Sequence, residues 1–277
     1  NYDYFANPTI KVGYLVLQSG VLYEMGADAM REWAKRMNIE FTMFDANGDN
    51  DLYISNIRTL ANQGYDGLIF DPDTTIYERI AEVANEVGIH WFPSMAPPYD
   101  SNGRLLTACA GFDHYDMGVQ IVNWLLDYAA ENWPDAKPEE IGCIGVDYSS
   151  SIPIHARIEA AKHRLLATYP GNDKNFFVAD TVVGSMDSPT AYAQVGAIIP
   201  TQPHIKYWII PAATDDLADG AASAAMDAGF GDTTVVACGG GPALIQQWDV
   251  GEETPWKCAV YTATMIATET HLATIYA

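Results

Sequence analysis

A short apolar run followed by an amphipathic stretch, repeated about nine times with little chain between copies, restricts this sequence more than any other property it has. The runs are Lys11–Gln18, Ile39–Asp45, Gly67–Asp71, Ile89–Ser94, Glu140–Val146, Phe176–Thr181, Lys206–Pro211, Thr233–Cys238 and Lys257–Tyr261. Strands buried on both faces read as continuous apolar runs, and helices between them return the chain for a parallel neighbour. The first helix is expected over about Gly20–Asn38, with Leu22, Met25, Ala29, Trp33 and Met37 on one stripe. The second follows the turn cluster Asn47–Asn50 and carries Leu52, Ile54, Ile57, Leu60 and Ala61; the third spans Thr75–Val87, capped by Thr74 or Thr75 and stopped by Gly88. Sheets of this kind bind ligands beyond the carboxyl ends of their strands, so function is to be sought just after each run.

Two Pro-rich interruptions, Ala96–Gly103 and Trp133–Pro138, flank the segment Leu105–Asn132, within which a helix from about His114 presents Met117, Ile121, Leu125 and Leu126 on one face. The chain is therefore expected to pass from one lobe to another near Gly111–Asp113 and to return after the last run through a closing helix, Met265–Tyr276. The expected fold is α/β: two doubly wound parallel-sheet lobes joined by a hinge, residues 10–111 with 263–277 forming one and residues 112–262 the other. A length of 277 residues suffices for two such lobes.

Composition excludes several functions. Fourteen Lys and Arg stand against 36 Asp and Glu, and a net charge of −22 argues against nucleic acid and anionic membrane surfaces. No apolar run reaches the ~18 residues of a membrane helix. Cys109, Cys143, Cys238 and Cys258 form no CxxC pair and read as buried single thiols. There is no Gly-x-Ser-x-Gly, the segment Cys238–Pro242 lacks the Lys of a phosphate loop, and His90, His114, His155, His163, His204 and His271 show no metalloprotease spacing. A non-enzymatic protein without metal or cofactor is expected. The sequence opens at Asn1 without Met or a signal-like segment, as expected of a processed or excised chain.

Several segments resemble the type I periplasmic sugar-binding proteins of ABC importers, with the ribose-, xylose- and arabinose-binding branch most similar. Lys11–Gln18 (KVGYLVLQ) is similar to the family's opening strand, and Asn62–Asp73 (NQGYDGLIFDPD) to its third-strand signature. Gly111–Gly118 (GFDHYDMG) resembles the start of the helix after the hinge, and His155–Ala161 (HARIEAA) the segment whose Arg reaches the sugar. Lys206–Gly220 (KYWIIPAATDDLADG) with Ala228–Phe230 resembles the arabinose branch. Three positions depart from the pattern: Ser94-Met95-Ala96 where an Asp bracket is common, Gly239–Pro242 where Asn or Asp is usual, and Leu17 where the arabinose branch has Lys. The family also commonly continues past the point matching Ala277 with a further crossing and strand.

The resemblance implies capture of a small sugar, pentose-like or a related polyol, in the inter-lobe cleft for ABC-type import. The implied partners are a carbohydrate and an ABC transporter permease or membrane sensor. The implied location is periplasmic or extracellular, with a removed N-terminal segment as a place for a membrane anchor. The alternative is the sensing domain of a chemoreceptor or sensor kinase; a lactose-repressor-like effector module is disfavoured by the absence of a basic helical segment before the first strand. An enzyme on the same architecture would need a nucleophile or acid–base pair that Asp113 and Arg157 do not make.

Neutral hydroxylated ligands are held by planar polar groups at their edges and aromatic faces against their C–H surfaces. The candidates are Gln18 and Tyr23 after the first strand, Asp71 ending the third, Phe92 in the fourth, Asp113 at the hinge, Arg157 early in the fifth helix, Thr214 and Asp215 opening the seventh, and Tyr261 at the recrossing. Each has a structural alternative: a loop hydrogen bond for Gln18, core packing for Tyr23 and Phe92, turn formation for Asp71, helix capping for Asp113 and for one of Thr214 and Asp215, a purely structural role for Arg157, and a hinge role for Tyr261.

Overall fold

The computed structural model describes residues 3–109, 111, 113–260 and 272, and the chain divides into two compact units, Asn1–Phe112 with Thr262–Ala277, and Asp113–Tyr261. Tyr261 and all of the expected closing helix except Leu272 lie outside the described residues.

The first unit runs β1 (Ile10–Val16), α1 (Val21–Arg36), β2 (Ile39–Asp45), α2 (Asn50–Asn62), β3 (Gly67–Asp71), α3 (Tyr77–Val87), β4 (His90–Pro93). Its sheet is parallel throughout, in the order β2-β1-β3-β4. Val16 lies level with both Asp45 and Asp71, so three strands end on one line. Alternate residues of the strands serve two layers, as the strand period requires. Leu15, Leu68 and Phe70 pack against Tyr53, Ile57 and Leu60 of α2 and Ile80 of α3. Val12, Tyr14, Val16 and Ile69 cluster with Ala27, Met30 and Ala34 of α1 and with Met37 at its carboxyl cap, together with Leu272.

The second unit runs α4 (His114–Asn132), β5 (Ile141–Asp147), α5 (Ile152–Thr168), β6 (Phe176–Asp180), α6 (Ser188–Ile198), β7 (Tyr207–Ala212), α7 (Asp215–Asp227), β8 (Thr234–Gly239), α8 (Pro242–Asp249), β9 (Trp256–Val260). The sheet order is β6-β5-β7-β8-β9, again parallel. Its core joins Ile144, Val146, Trp208 and Ile210 of the strands to Ile158, Val195, Leu217 and Ala221 of the helices. Both sheets reverse direction of growth after their second strand, so each has a switch point at its first and third strands, β1/β3 and β5/β7. Ligand crevices in doubly wound sheets form at that place.

Several local expectations are corrected. The buried stripe of α1 is Ala27, Met30, Ala34 and Met37, and Met25 is exposed; the two alanines let the helix lie close to the sheet. Leu52 is likewise exposed, and Tyr53 takes the core position in α2. Asp73, not Thr74 or Thr75, caps the approach to α3: it accepts from Thr75 N and Oγ1 at 2.9 and 2.8 Å and starts a 3-10 turn over Thr74–Ile76. Cys143 and Cys238 are buried, but Cys109 and Cys258 are only half-buried; all four are free thiols.

Candidate functional site

In the first unit the carboxyl ends of β1 and β3 are tied together by Leu17 N donating to Asp71 O at 3.0 Å. The half-buried Asp71 side chain turns toward Tyr14, whose hydroxyl donates to Oδ2 at 3.4 Å, and toward Ser94, whose Oγ donates to the same oxygen at 3.2 Å. Burial pushes the Asp71 carboxyl up to about 7, and these two hydrogen bonds only partly oppose it. The Tyr14 hydroxyl is itself pushed well up, by burial and then by the neighbouring Asp71 charge. Gln18 is exposed, its Oε1 near Gly48. Tyr23 is half-buried and packs on the α1 layer, while Phe92 is buried.

In the second unit Arg157 is the central side chain. It lies one turn into α5 and is only 3% exposed. Its Nε donates to His114 Nδ1 at 3.2 Å and its Nη1 donates to the Ala213 carbonyl just past β7. Two glycines make room for it. A Cβ on Gly118 of α4 would lie 2.1 Å from the Arg157 carbonyl oxygen, and one on Gly239 at the end of β8 would lie 2.9 Å from Arg157 Nη1. Burial, then the positive charge of Arg157, pushes His114 down to about 3, so the imidazole is neutral and accepts at Nδ1. Asp113 caps α4, Oδ1 accepting from Asp116 N at 3.0 Å. Thr214 occupies the cap position of α7 but makes no side-chain cap bond, contrary to the capping expectation, and its buried Oγ1 has no hydrogen-bond partner among the described residues. Asp215 is the first residue of α7, and its Oδ1 would lie 3.8 Å from a Cβ on Gly240.

Each rim, taken by itself, carries a serine–aspartate clasp of the same kind. Ser19 N and Oγ donate to Asp45 Oδ2 at 3.1 and 2.6 Å; Ser149 N and Oγ donate to Asp180 Oδ1 and Oδ2 at 3.2 and 2.5 Å. In each case the loop after the unit's first strand is bound to the end of its second. Burial raises both carboxyls, but the hydrogen bonds outweigh it and leave both below the usual carboxylate range. In the second unit Asp147 adds a buried carboxyl at the end of β5. His155 Nδ1 lies 2.5 Å from its Oδ2 and Tyr148 N donates to Oδ1 at 2.7 Å; burial nevertheless raises it.

Sequence reasoning places Gln18 and Asp71 on the first rim and Asp113, Arg157, Thr214 and Asp215 on the second. It misses Tyr14, Ser94, His114, Asp147 and His155. Tyr14 lies in the interior of a strand, where no rim signal exists. Asp147, directly after the run ending at Val146, stands where the strand-end rule points, and only its contact with His155 in the fold singles it out. His114 and His155 carry a signal only once α4 and α5 are known to bring them to Arg157 and Asp147.

The arrangement consists of polar and charged donors and acceptors held by hydrogen bonds at strand ends and neighbouring helix starts, which suits binding a small polar molecule. Among solved structures, the fold is similar to an ABC transporter periplasmic solute-binding protein from Actinobacillus succinogenes with bound D-allose: 17% identity over 98% of this chain and 92% of that one, TM-score 0.73. It is similar to a Bacillus halodurans ABC transporter solute-binding protein with bound myo-inositol: 18% identity, 97% and 88% coverage, TM-score 0.75. It also resembles the arabinose transporter component from Shewanella sp. ANA-3 bound to L-arabinofuranose: 17% identity, 96% and 84% coverage, TM-score 0.74. No curated protein sequence matches this one. The periplasmic binding protein domain, however, matches residues 18–262, a span that holds nearly every rim residue described above, and the chain belongs to that family.

Proposed function

We propose that this protein is an extracytoplasmic receptor that captures a small sugar or polyol and delivers it to an ABC permease, acting by binding and not by catalysis. The observation that carries this reading is the likeness of at least 96% of the chain to solute-binding proteins carrying D-allose, myo-inositol and L-arabinofuranose. The rims support it. Gln18, Tyr23 and Asp71 in the first unit and Asp113, Arg157, Thr214 and Asp215 in the second are the proposed contacts. The orphan Thr214 hydroxyl is the kind of group that a ligand oxygen satisfies, since leaving it buried and unpaired costs about 1–3 kcal/mol. No described helix is long and apolar enough to cross a membrane.

The test is a thermal-shift screen with D-allose, myo-inositol, L-arabinose, further pentoses and hexoses, and nucleosides. Millimolar ligand on a site of micromolar affinity stabilises a fold by about 4 kcal/mol. At least one sugar or polyol should raise Tm clearly; no shift with any of them contradicts the reading.

A further inference from the structure

Asp71 is surrounded in a way that an ionised carboxylate tolerates poorly. The titratable or hydroxyl groups that face it are Tyr14 from β1, Tyr53 from α2, Tyr77 from α3 and Ser94 after β4; Tyr23 of α1 and Cys109 act on those tyrosines. No lysine, arginine or histidine among the described residues acts on it. Two of the tyrosines are committed elsewhere, Tyr53 donating to Leu15 O at 2.8 Å and Tyr77 to Ala96 O at 2.9 Å. The remaining donors, Tyr14 and Ser94, are long and reach this carboxyl at Oδ2 alone; Ser94 Oγ lies nearer to Oδ2, at 3.2 Å, than to its other acceptor, the Phe70 carbonyl, at 3.4 Å. A carboxylate has about four acceptor positions to fill, whereas a carboxylic acid has a proton to place. Filling Oδ2 with both donors leaves Oδ1 as the oxygen to carry that proton.

We propose that Asp71 sets what the first rim accepts: it meets the solute as a neutral carboxylic acid, donating from Oδ1 to an acceptor oxygen of the sugar or polyol while Oδ2 accepts from Tyr14 and Ser94. This rests on the sugar-receptor reading and sharpens it, because the bound solute must then present an acceptor to β3. Burial without a cationic partner, which holds the carboxyl near neutrality, agrees with this protonation state. The consequence is a proton linkage. Affinity is insensitive to pH in the acid range and falls as Asp71 ionises. With a midpoint near 7 the wild type should bind about fifteen-fold more weakly at pH 8.5 than at pH 7.

The experiment is calorimetric titration of the full chain with D-allose, myo-inositol and L-arabinose from pH 5.5 to 8.5. Wild type is compared with Asp71→Asn, whose amide oxygen can accept from Tyr14 and Ser94 while its NH2 donates. Carbon-13 NMR of the Asp71 carboxyl in the free protein, assigned by the same variant, follows ionisation without ligand. The expected results are a carboxyl titrating near neutrality, wild-type affinity that falls above pH 7, and an Asp71→Asn protein that lacks the fall and binds more tightly than wild type at pH 8.5. A carboxyl that titrates in the ordinary range near pH 4, a flat wild-type profile, or a fall retained in Asp71→Asn overturns the proposal. Absence of binding by all three at every pH overturns the donation, and the receptor reading falls with it where the thermal-shift panel also gives no shift; binding with a flat profile overturns the donation alone.

Discussion

Arg157 joins three elements, since its own helix, the start of α4 and the loop after β7 all meet at its guanidinium. Removing it takes away the donor to the Ala213 carbonyl and to His114 Nδ1 in a buried site. Such losses cost about 1–3 kcal/mol, so Arg157→Ala should lower the ligand-free Tm by several degrees as well as weakening sugar binding. An unchanged Tm would mean that the residue serves ligand alone. His114 contributes an acid-sensitive component. Its folded-state value of about 3 lies below the ordinary 6.5, so the unfolded chain takes up a proton that the folded chain refuses. That stabilisation is complete above pH 6.5 and is lost as pH falls toward 3. His114→Asn, which keeps an acceptor near Nδ1, should flatten this decline in urea unfolding between pH 7 and pH 4.5; an unaltered slope would place the acid sensitivity elsewhere. Thr214 behaves oppositely. Thr214→Val removes a buried orphan hydroxyl, so it should hold or raise the apo Tm while reducing affinity for sugar about tenfold, the equivalent of ~1.4 kcal/mol.

At the level of elements, the alternation of apolar runs and helical stripes identifies every strand of both sheets, with ends displaced by one or two residues. What periodicity does not reveal is which side of a helix packs. Along α1 Met37 and Trp33 of the expected stripe do meet the core, but Met25 faces solvent while Ala27, Met30 and Ala34 are buried. Small residues fix helix approach in the second unit as well. A methyl on Gly118 would run into the α5 backbone at Arg157, a wall that cannot yield as a side chain can. Gly118→Ala should therefore lower stability by about 1–3 kcal/mol and disturb the Arg157 seat. Gly26, in the interior of α1, has open space where its Cβ would go. Gly26→Ala should raise stability by about 0.5–1 kcal/mol through helix propensity alone. Urea unfolding of the two variants separates the cases; equal effects would contradict the packing account.

For the whole molecule, the sheet orders β2-β1-β3-β4 and β6-β5-β7-β8-β9 give each unit a switch point at its first and third strands, and Asp71, Asp147 and Thr214 lie at or just after the carboxyl ends of those strands. That rule makes Asp71, Thr214 and Asp215 legible from sequence, because Asp71 ends an apolar run and the other two come three and four residues after one. It leaves Tyr14, Ser94 and His114 illegible, since their roles come from contacts 23 to 57 residues away in the chain. The departures at Ser94–Ala96 acquire a physical sense here. Ser94 supports Asp71 at the end of the neighbouring strand, so the polar group of this rim stands on β3. The central claim is that the rim residues Asp71 and Thr214 each contribute to binding a neutral sugar or polyol. Its most direct test is one calorimetric series with the sugar giving the largest thermal shift, titrated into wild type, Asp71→Ala and Thr214→Val at pH 6.5. The account predicts one binding event in the wild type and an affinity about tenfold or more weaker in each variant, with both variants still folded. Wild-type affinity retained in either folded variant would contradict it.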